Sequence, residues 1–128
     1  MTGPSEIEVI RNQDLTPGVS TPGITRHKSF EGPGIIVSQS RIGRGVVSEW
    51  HHHGARMLYG HLVSGQLSFD FGPGGARTVE LSAGDHFRIP PGLVHRDVNP
   101  SGTEEAVVVA VFVGEGPTVV NTTGPDPG

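Results

Sequence analysis

Cysteine is absent from the 128 residues, which excludes disulfides, thiolate metal sites and cysteine nucleophiles together. Basic residues are in the minority: nine Lys and Arg stand against thirteen Asp and Glu, for a formal charge of -4 and a pI near 5.9. Such a balance provides no cationic footprint for nucleic acid. Long apolar runs are missing as well, and the longest, Ala106 to Val113, is far short of a membrane span. The opening MTGPSEIEVIRNQD has acids where a secretory leader needs bases, and no apolar stretch behind them. We therefore expect a cytoplasmic protein with neither nucleic acid nor membrane as partner. No segment sustains an apolar period of 3.6, so little helix is expected.

What the chain has in excess is glycine, at 20 residues, and proline, at 11, set between valine-rich segments. That alternation indicates short strands joined by tight turns. Residues 1–34 read as a frayed start, a short edge strand at Ile7 to Ile10, and a Pro/Gly-rich arm or long loop that Ile24 and Phe30 could dock. Residues 35–120 read as a barrel with strands at Ile35–Ile42, Val46–His53, Met57–Val63, Gln66–Phe71, Arg77–Leu81, His86–Ile89, Leu93–Val98 and Glu105–Val113. Pro117 to Thr123 could add another, and 121–128 form a tail expected to be disordered. The fold class is all-β, a sandwich or jelly-roll barrel in one domain. Nearly every residue of the Glu105–Val113 strand is valine or alanine, so it is expected to be buried on both faces or to lie at a subunit contact.

The stretch GVVSEWHHHGARMLYGHLVSG, Gly45 to Gly65, carries the chemistry. Successive side chains of a strand point to opposite faces, so His51 and His53 share one face and His52 takes the other. Two imidazoles so placed can bind one cation, and neutral imidazole is the commonest protein ligand for divalent transition metals. Another segment must supply at least one more donor.

Two motifs then resemble those of the cupin superfamily. Gly45, five residues, His51, one residue, His53 and a later Gly65 are similar to the first cupin motif. Gly84, five residues, Pro90, one residue, Gly92, two residues, His95, three residues and Asn99 are similar to the second at every position. The resemblance implies a small single-domain cupin, a double-stranded β-helix with a metal inside the barrel held by His51, His53 and His95. One position departs. Seven residues before Gly65, where the family's first motif has a glutamate ligand, this chain has Leu58, with Met57 beside it. Three neutral imidazoles leave a divalent ion uncompensated, and such a site favours an anionic, chelating substrate. In that respect the chain resembles the thiol and diketone dioxygenase cupins, which use ferrous iron.

Three further residues are candidates for catalysis. Glu49, two residues before His51, could replace the missing carboxylate, support a ligand imidazole, or simply stand at a solvated rim. Asp97, two residues after His95, should face inward as a general base or hydrogen-bond acceptor, unless Arg96 or Arg88 takes it. Arg56, at the expected barrel mouth, could clamp a substrate carboxylate or simply stand as a solvated loop arginine. His61, His86 and His52 should point away from the metal, and Gly60 should leave space in the pocket. Leu58, Leu62, Phe69, Phe71, Phe87, Ile89 and Leu93 are the expected lining or core, an apolar wall suited to a small organic substrate. The resemblance implies an Fe(II) dioxygenase of small anionic substrates, and, by analogy with cupins that pair through sheet edges and with Val107 to Val113 in need of cover, a homodimer. The alternatives are a non-oxidative isomerase or lyase using Zn(II), Mn(II) or Ni(II), and a non-catalytic small-ligand-binding cupin.

Overall fold

Turns at Pro and Gly cut this chain into short extended segments, each long enough to pair but too short to stand alone. The computed structural model describes residues 5–127, so most of the expected frayed start falls outside the described residues. In chain order the strands are β1 (Thr16–Pro17), β2 (Ile24–Gly32), β3 (Ile35–Ile42), β4 (His51–His52), β5 (Met57–Ser64) and β6 (Gln66–Phe71). They continue with β7 (Arg77–Ser82), β8 (His86–Ile89), β9 (His95–Val98), β10 (Ala106–Val113) and β11 (Val120–Asn121). Two antiparallel sheets result, one ordered β1-β2-β3-β10-β5-β8 and the other β11-β4-β9-β6-β7. This is the all-β jelly roll that the turn spacing predicts.

The core lies between the sheets. Along β10, Ala106, Val108, Ala110 and Phe112 are buried, and they meet Leu58 and Leu62 of β5 and Leu67 and Phe69 of β6 in one cluster. Fully burying an aliphatic or aromatic side chain of this size contributes about 1.5–3 kcal/mol. The other row of β10 alternates outward: Val107, Val109 and Val111 are half-buried and Val113 is exposed. Within a single chain the strand is therefore buried on one face and not on both.

Other segments also differ from the reading by composition. Ile7 to Ile10 form no strand, and Ile7 is 95% exposed. Ile24–Gly32, placed by composition in a loop-rich arm, is a nine-residue strand paired with β3 across the turn at Pro33 and Gly34. Ile24 is the anchor, fully buried, while Phe30 stays exposed. The histidine strand is regular only at His51–His52, with Val47 bridging Val98 ahead of it. Where a disordered tail is expected, the C-terminal stretch touches the barrel: Thr122 N–H donates to Trp50 O at 2.9 Å and Gly74 N–H to Asp126 O at 2.8 Å.

Two motif residues shape the barrel ends. Gly65 turns β5 into β6 at φ +87°, where a Cβ would stand 2.6 Å from the Glu105 carbonyl. Asn99, only 1% exposed, donates from Nδ2 to the carbonyls of Ile42, Gly43 and Glu104 and accepts the Ser101 N–H, tying the end of β3 to the loop between β9 and β10. Gly60 faces inward as its parity predicts, but the space is filled: a Cβ there would lie 2.2 Å from the Phe87 ring. Gly60→Ala should therefore overpack the core and lower stability by about 1–3 kcal/mol in urea denaturation. An unchanged midpoint would show that Phe87 swings away freely.

Candidate metal centre

His51 on β4 pairs directly with His95 on β9, so register alone brings two imidazoles together across the strands. His53 follows on the same face as His51. All three are buried, and each offers a ring nitrogen within 4.8 Å of the others, a group that could hold a metal ion. Ring centroids lie 4.4 Å apart for His51 and His95, 5.0 Å for His53 and His95, and 5.3 Å for His51 and His53.

Backbone carbonyls set the chemistry of those rings. His51 Nδ1 contacts Glu49 O at 2.8 Å, His53 Nδ1 contacts Thr118 O at 2.7 Å, and His95 Nδ1 contacts Leu93 O at 2.9 Å. A carbonyl can only accept, so each Nδ1 carries the proton and each neutral ring turns a lone pair inward at Nε2. Support of one imidazole nitrogen by a carbonyl is the usual arrangement behind a metal-ligating histidine. His51 Nε2 and His95 Nε2 are buried without a hydrogen-bond partner. Buried polar atoms without partners are rare and costly, and a cation between them is the partner that fits. The donor set thus passes the chemical test for a divalent ion.

Asp97 faces inward, as its parity with His95 predicts. Its Oδ1 lies 3.6 Å from both His51 Nε2 and His95 Nε2 and is likewise buried without a partner. Neither neighbouring arginine takes it: Arg96 pairs with Asp70 at 2.9 Å and covers the Trp50 ring, while Arg88 is exposed. Leu58 occupies the inner wall with 5% exposure, so no carboxylate enters from that position.

The other candidates lie elsewhere. The Glu49 side chain is exposed at the rim, and its carbonyl rather than its carboxylate serves the site. Arg56 is buried, with Nε donating to Gly116 O at 2.7 Å, beside a cavity of about 440 Å³ that Arg26 and Lys28 also line. His52 points away and accepts the Gly54 N–H, and His61 stacks near His86 on the far face of β5, their centroids 4.3 Å apart. The sequence reading missed two residues. Arg26 of β2 is only 6% exposed and lines the inner cavity with His53, His95 and Asp97, its Nη1 donating to Val19 O and Thr21 Oγ1. Ser48 accepts the Asp97 N–H and donates its own N–H to Asp97 O, both at 2.8 Å. The inner cavity is about 30 Å³, enough for about two water-sized molecules. Beyond Phe69, Phe87 and Ile89 a second, apolar cavity of about 300 Å³ reaches His95.

A two-sheet jelly roll that gathers three inward imidazoles from two strands defines the class of protein. Residues 40–112 match the cupin domain family, and the chain belongs to that family. Solved structures agree on the fold. KdgF from Halomonas sp. is 22% identical, with TM-score 0.69 over 85% of this chain and 96% of its own. The polyketide cyclase RemF from Streptomyces resistomycificus is 20% identical, with TM-score 0.73 over 91% and 86%. A recombinant oxalate oxidase in complex with glycolate is 24% identical, with TM-score 0.65 over 83% of this chain and 59% of its own. No curated protein matches the chain. Among the described residues, no helix is long and apolar enough to cross a membrane.

Burial holds His53 and His95 neutral. It lowers His53 to about 3, with His95 next to it adding to the effect. It also lowers His95, against a partial upward pull from Asp97. Between about pH 3 and 6.5 the unfolded chain therefore binds more protons than the folded one, so stability falls as pH falls through that window. For metal-free protein, His53 alone should contribute a loss of about 2 kcal/mol on going from pH 6.5 to 5. Urea midpoints across this range measure it. His53→Gln should flatten the pH dependence, and an equally steep dependence in that variant would contradict the assignment.

Proposed function

We propose that this cupin is an Fe(II)-dependent dioxygenase acting on a small, anionic, metal-chelating substrate. The observation that carries the reading is the three-imidazole group with aliphatic Leu58 where the family has a carboxylate and with the buried Arg26 guanidinium on the same wall. His51, His53 and His95 would hold the ion. Bound there, Fe(II) supplies the Lewis acidity and redox capacity that no side chain of this chain has.

The protein's own residues do the rest. Arg26 places a fixed positive charge at the inner cavity, where low dielectric strengthens its attraction for an anion. Asp97 is the acid–base group of the site and accepts the substrate's proton. Phe69, Phe87 and Phe112 exclude water and limit what enters to a small head group. Arg56 and Lys28 line the neighbouring basic cavity and draw anions toward it. The oxalate oxidase neighbour binding glycolate is a same-fold example of a small carboxylate as ligand. One observation favours a different reaction: a carboxylate beside the imidazoles also suits proton-transfer chemistry in a non-oxidative isomerase or lyase.

The test is oxygen uptake by anaerobically Fe(II)-loaded protein, over a panel of small carboxylates and thiols. We expect one iron per chain, oxygen consumption that depends on substrate, and loss of both in His51→Ala. Arg26→Gln should raise KM about tenfold or more with a smaller change in kcat. Equal turnover without oxygen would replace the dioxygenase by the isomerase or lyase. Metal far below one per chain after loading would leave only a binding protein.

A further inference from the structure

We infer that Asp97 supplies the carboxylate missing from position 58, binding the same cation through Oδ1 as a fourth protein donor. This rests on the reading that the imidazole group holds a divalent ion, and is independent of which reaction the ion serves.

Oδ1 is 3.6 Å from His51 Nε2 and 3.6 Å from His95 Nε2. That distance is too long for a hydrogen bond. All three atoms are nevertheless buried and without partners. Both ring nitrogens present lone pairs, because their Nδ1 protons are committed to Glu49 O and Leu93 O. Two ring lone pairs and a carboxyl oxygen thus face one another across 3.6 Å with no hydrogen bond among them. A cation among them would give all three a partner at once.

The distances suit that charge. Donors bound at about 2.0–2.2 Å to one octahedral ion stand roughly 2.8–3.1 Å apart as neighbours and roughly 4.0–4.4 Å apart across the ion. The observed 3.6 Å, and the span to His53, which exceeds 4.8 Å, each require a contraction of about half an ångström as the ion binds. Asp97 lies outside the set of atoms mutually within 4.8 Å, so its carboxylate approaches from the His51 and His95 side, across from His53.

The backbone holds Asp97 there. It is two residues beyond His95 on β9, so both side chains share a face. Its N–H and C=O are both engaged by Ser48, at 2.8 Å each. Arg96, the nearest rival cation along the strand, is drawn off by Asp70 and Trp50. In effect the acid has moved from β5, where Leu58 now fills the wall, to β9. Three neutral imidazoles and one carboxylate leave a divalent ion with a net charge of +1 and two of six octahedral positions open. An anionic chelator is still favoured there, and the second oxygen, Oδ2, remains for the substrate's proton.

Co(II) loading tests this without any turnover. Its affinity is measured by competition with a chelator and its coordination by the visible absorption of the loaded protein. Asp97→Ala should weaken binding by about 100-fold and change the visible bands. Asp97→Asn, which keeps the shape and reports on folding, should weaken it by at least about tenfold and also move the bands. Removal of a merely supporting group changes affinity but leaves the donor set, and so the bands, in place. Variants with wild-type bands would overturn the inference while leaving the three-histidine site standing. Wild-type protein that takes up no Co(II) would overturn both.

Discussion

Three backbone carbonyls, those of Glu49, Leu93 and Thr118, determine what this site can be. Each takes the Nδ1 proton of one buried imidazole, which fixes tautomer and ring orientation together. Without those bonds the rings could rotate or exchange protons, and a cluster of three would be a liability in the interior. With them, the unprotonated edges converge on one point. The strand register supplies the remaining precision: His51 opposite His95 across β4 and β9, and Asn121 opposite His51 on the other side. Burial then keeps His53 and His95 neutral by holding both below the ordinary imidazole range. A site of neutral donors in low dielectric is prepared to receive a cation and is poorly satisfied otherwise.

Much of this was legible in the sequence, for identifiable reasons. Side-chain parity along an extended segment needs only local geometry, so the shared face of His51 and His53 and the inward aim of Asp97 could be read two residues at a time. Glycine and proline mark turns, and turns locate the strands between them: β6, between Gly65 and Gly72, and β8, between Gly84 and Pro90, fall where they were expected. Parity held for His51 and His53 although the ladder around them is only two residues long, because extended backbone alternates whether or not it is paired. What escaped was tertiary. Arg26 lies in a stretch whose Pro, Gly, Ser and Thr content reads as loop, and only its pairing with β3 makes it a strand that carries a guanidinium to the inner cavity. Ser48 has no motif at all; it matters because an irregular segment passes β9 there. Gly60 pointed inward as predicted, yet whether that space was open depended on the Phe87 ring from another strand.

The surroundings of the imidazoles divide into two kinds of wall. Toward Phe69, Phe87 and Ile89 the site gives onto an apolar cavity. Past Arg26 and Phe112 it gives onto a basic one lined by Lys28 and Arg56. The inner cavity between them, about 30 Å³, admits only a compact group. Selection in such a site comes from charge and the size of the reacting end, with the flanks free to accommodate whatever follows. Glu49 and its neighbours at the rim shape the mouth through their backbone more than through their side chains.

The measurement that bears most directly on this account is X-ray absorption at the metal edge of protein loaded with one equivalent of a divalent ion. The account predicts outer-shell scattering from three imidazole rings, with nearest donors about 2.0–2.2 Å away. A spectrum fitted by oxygen donors with one imidazole or none would place the ion elsewhere and contradict it.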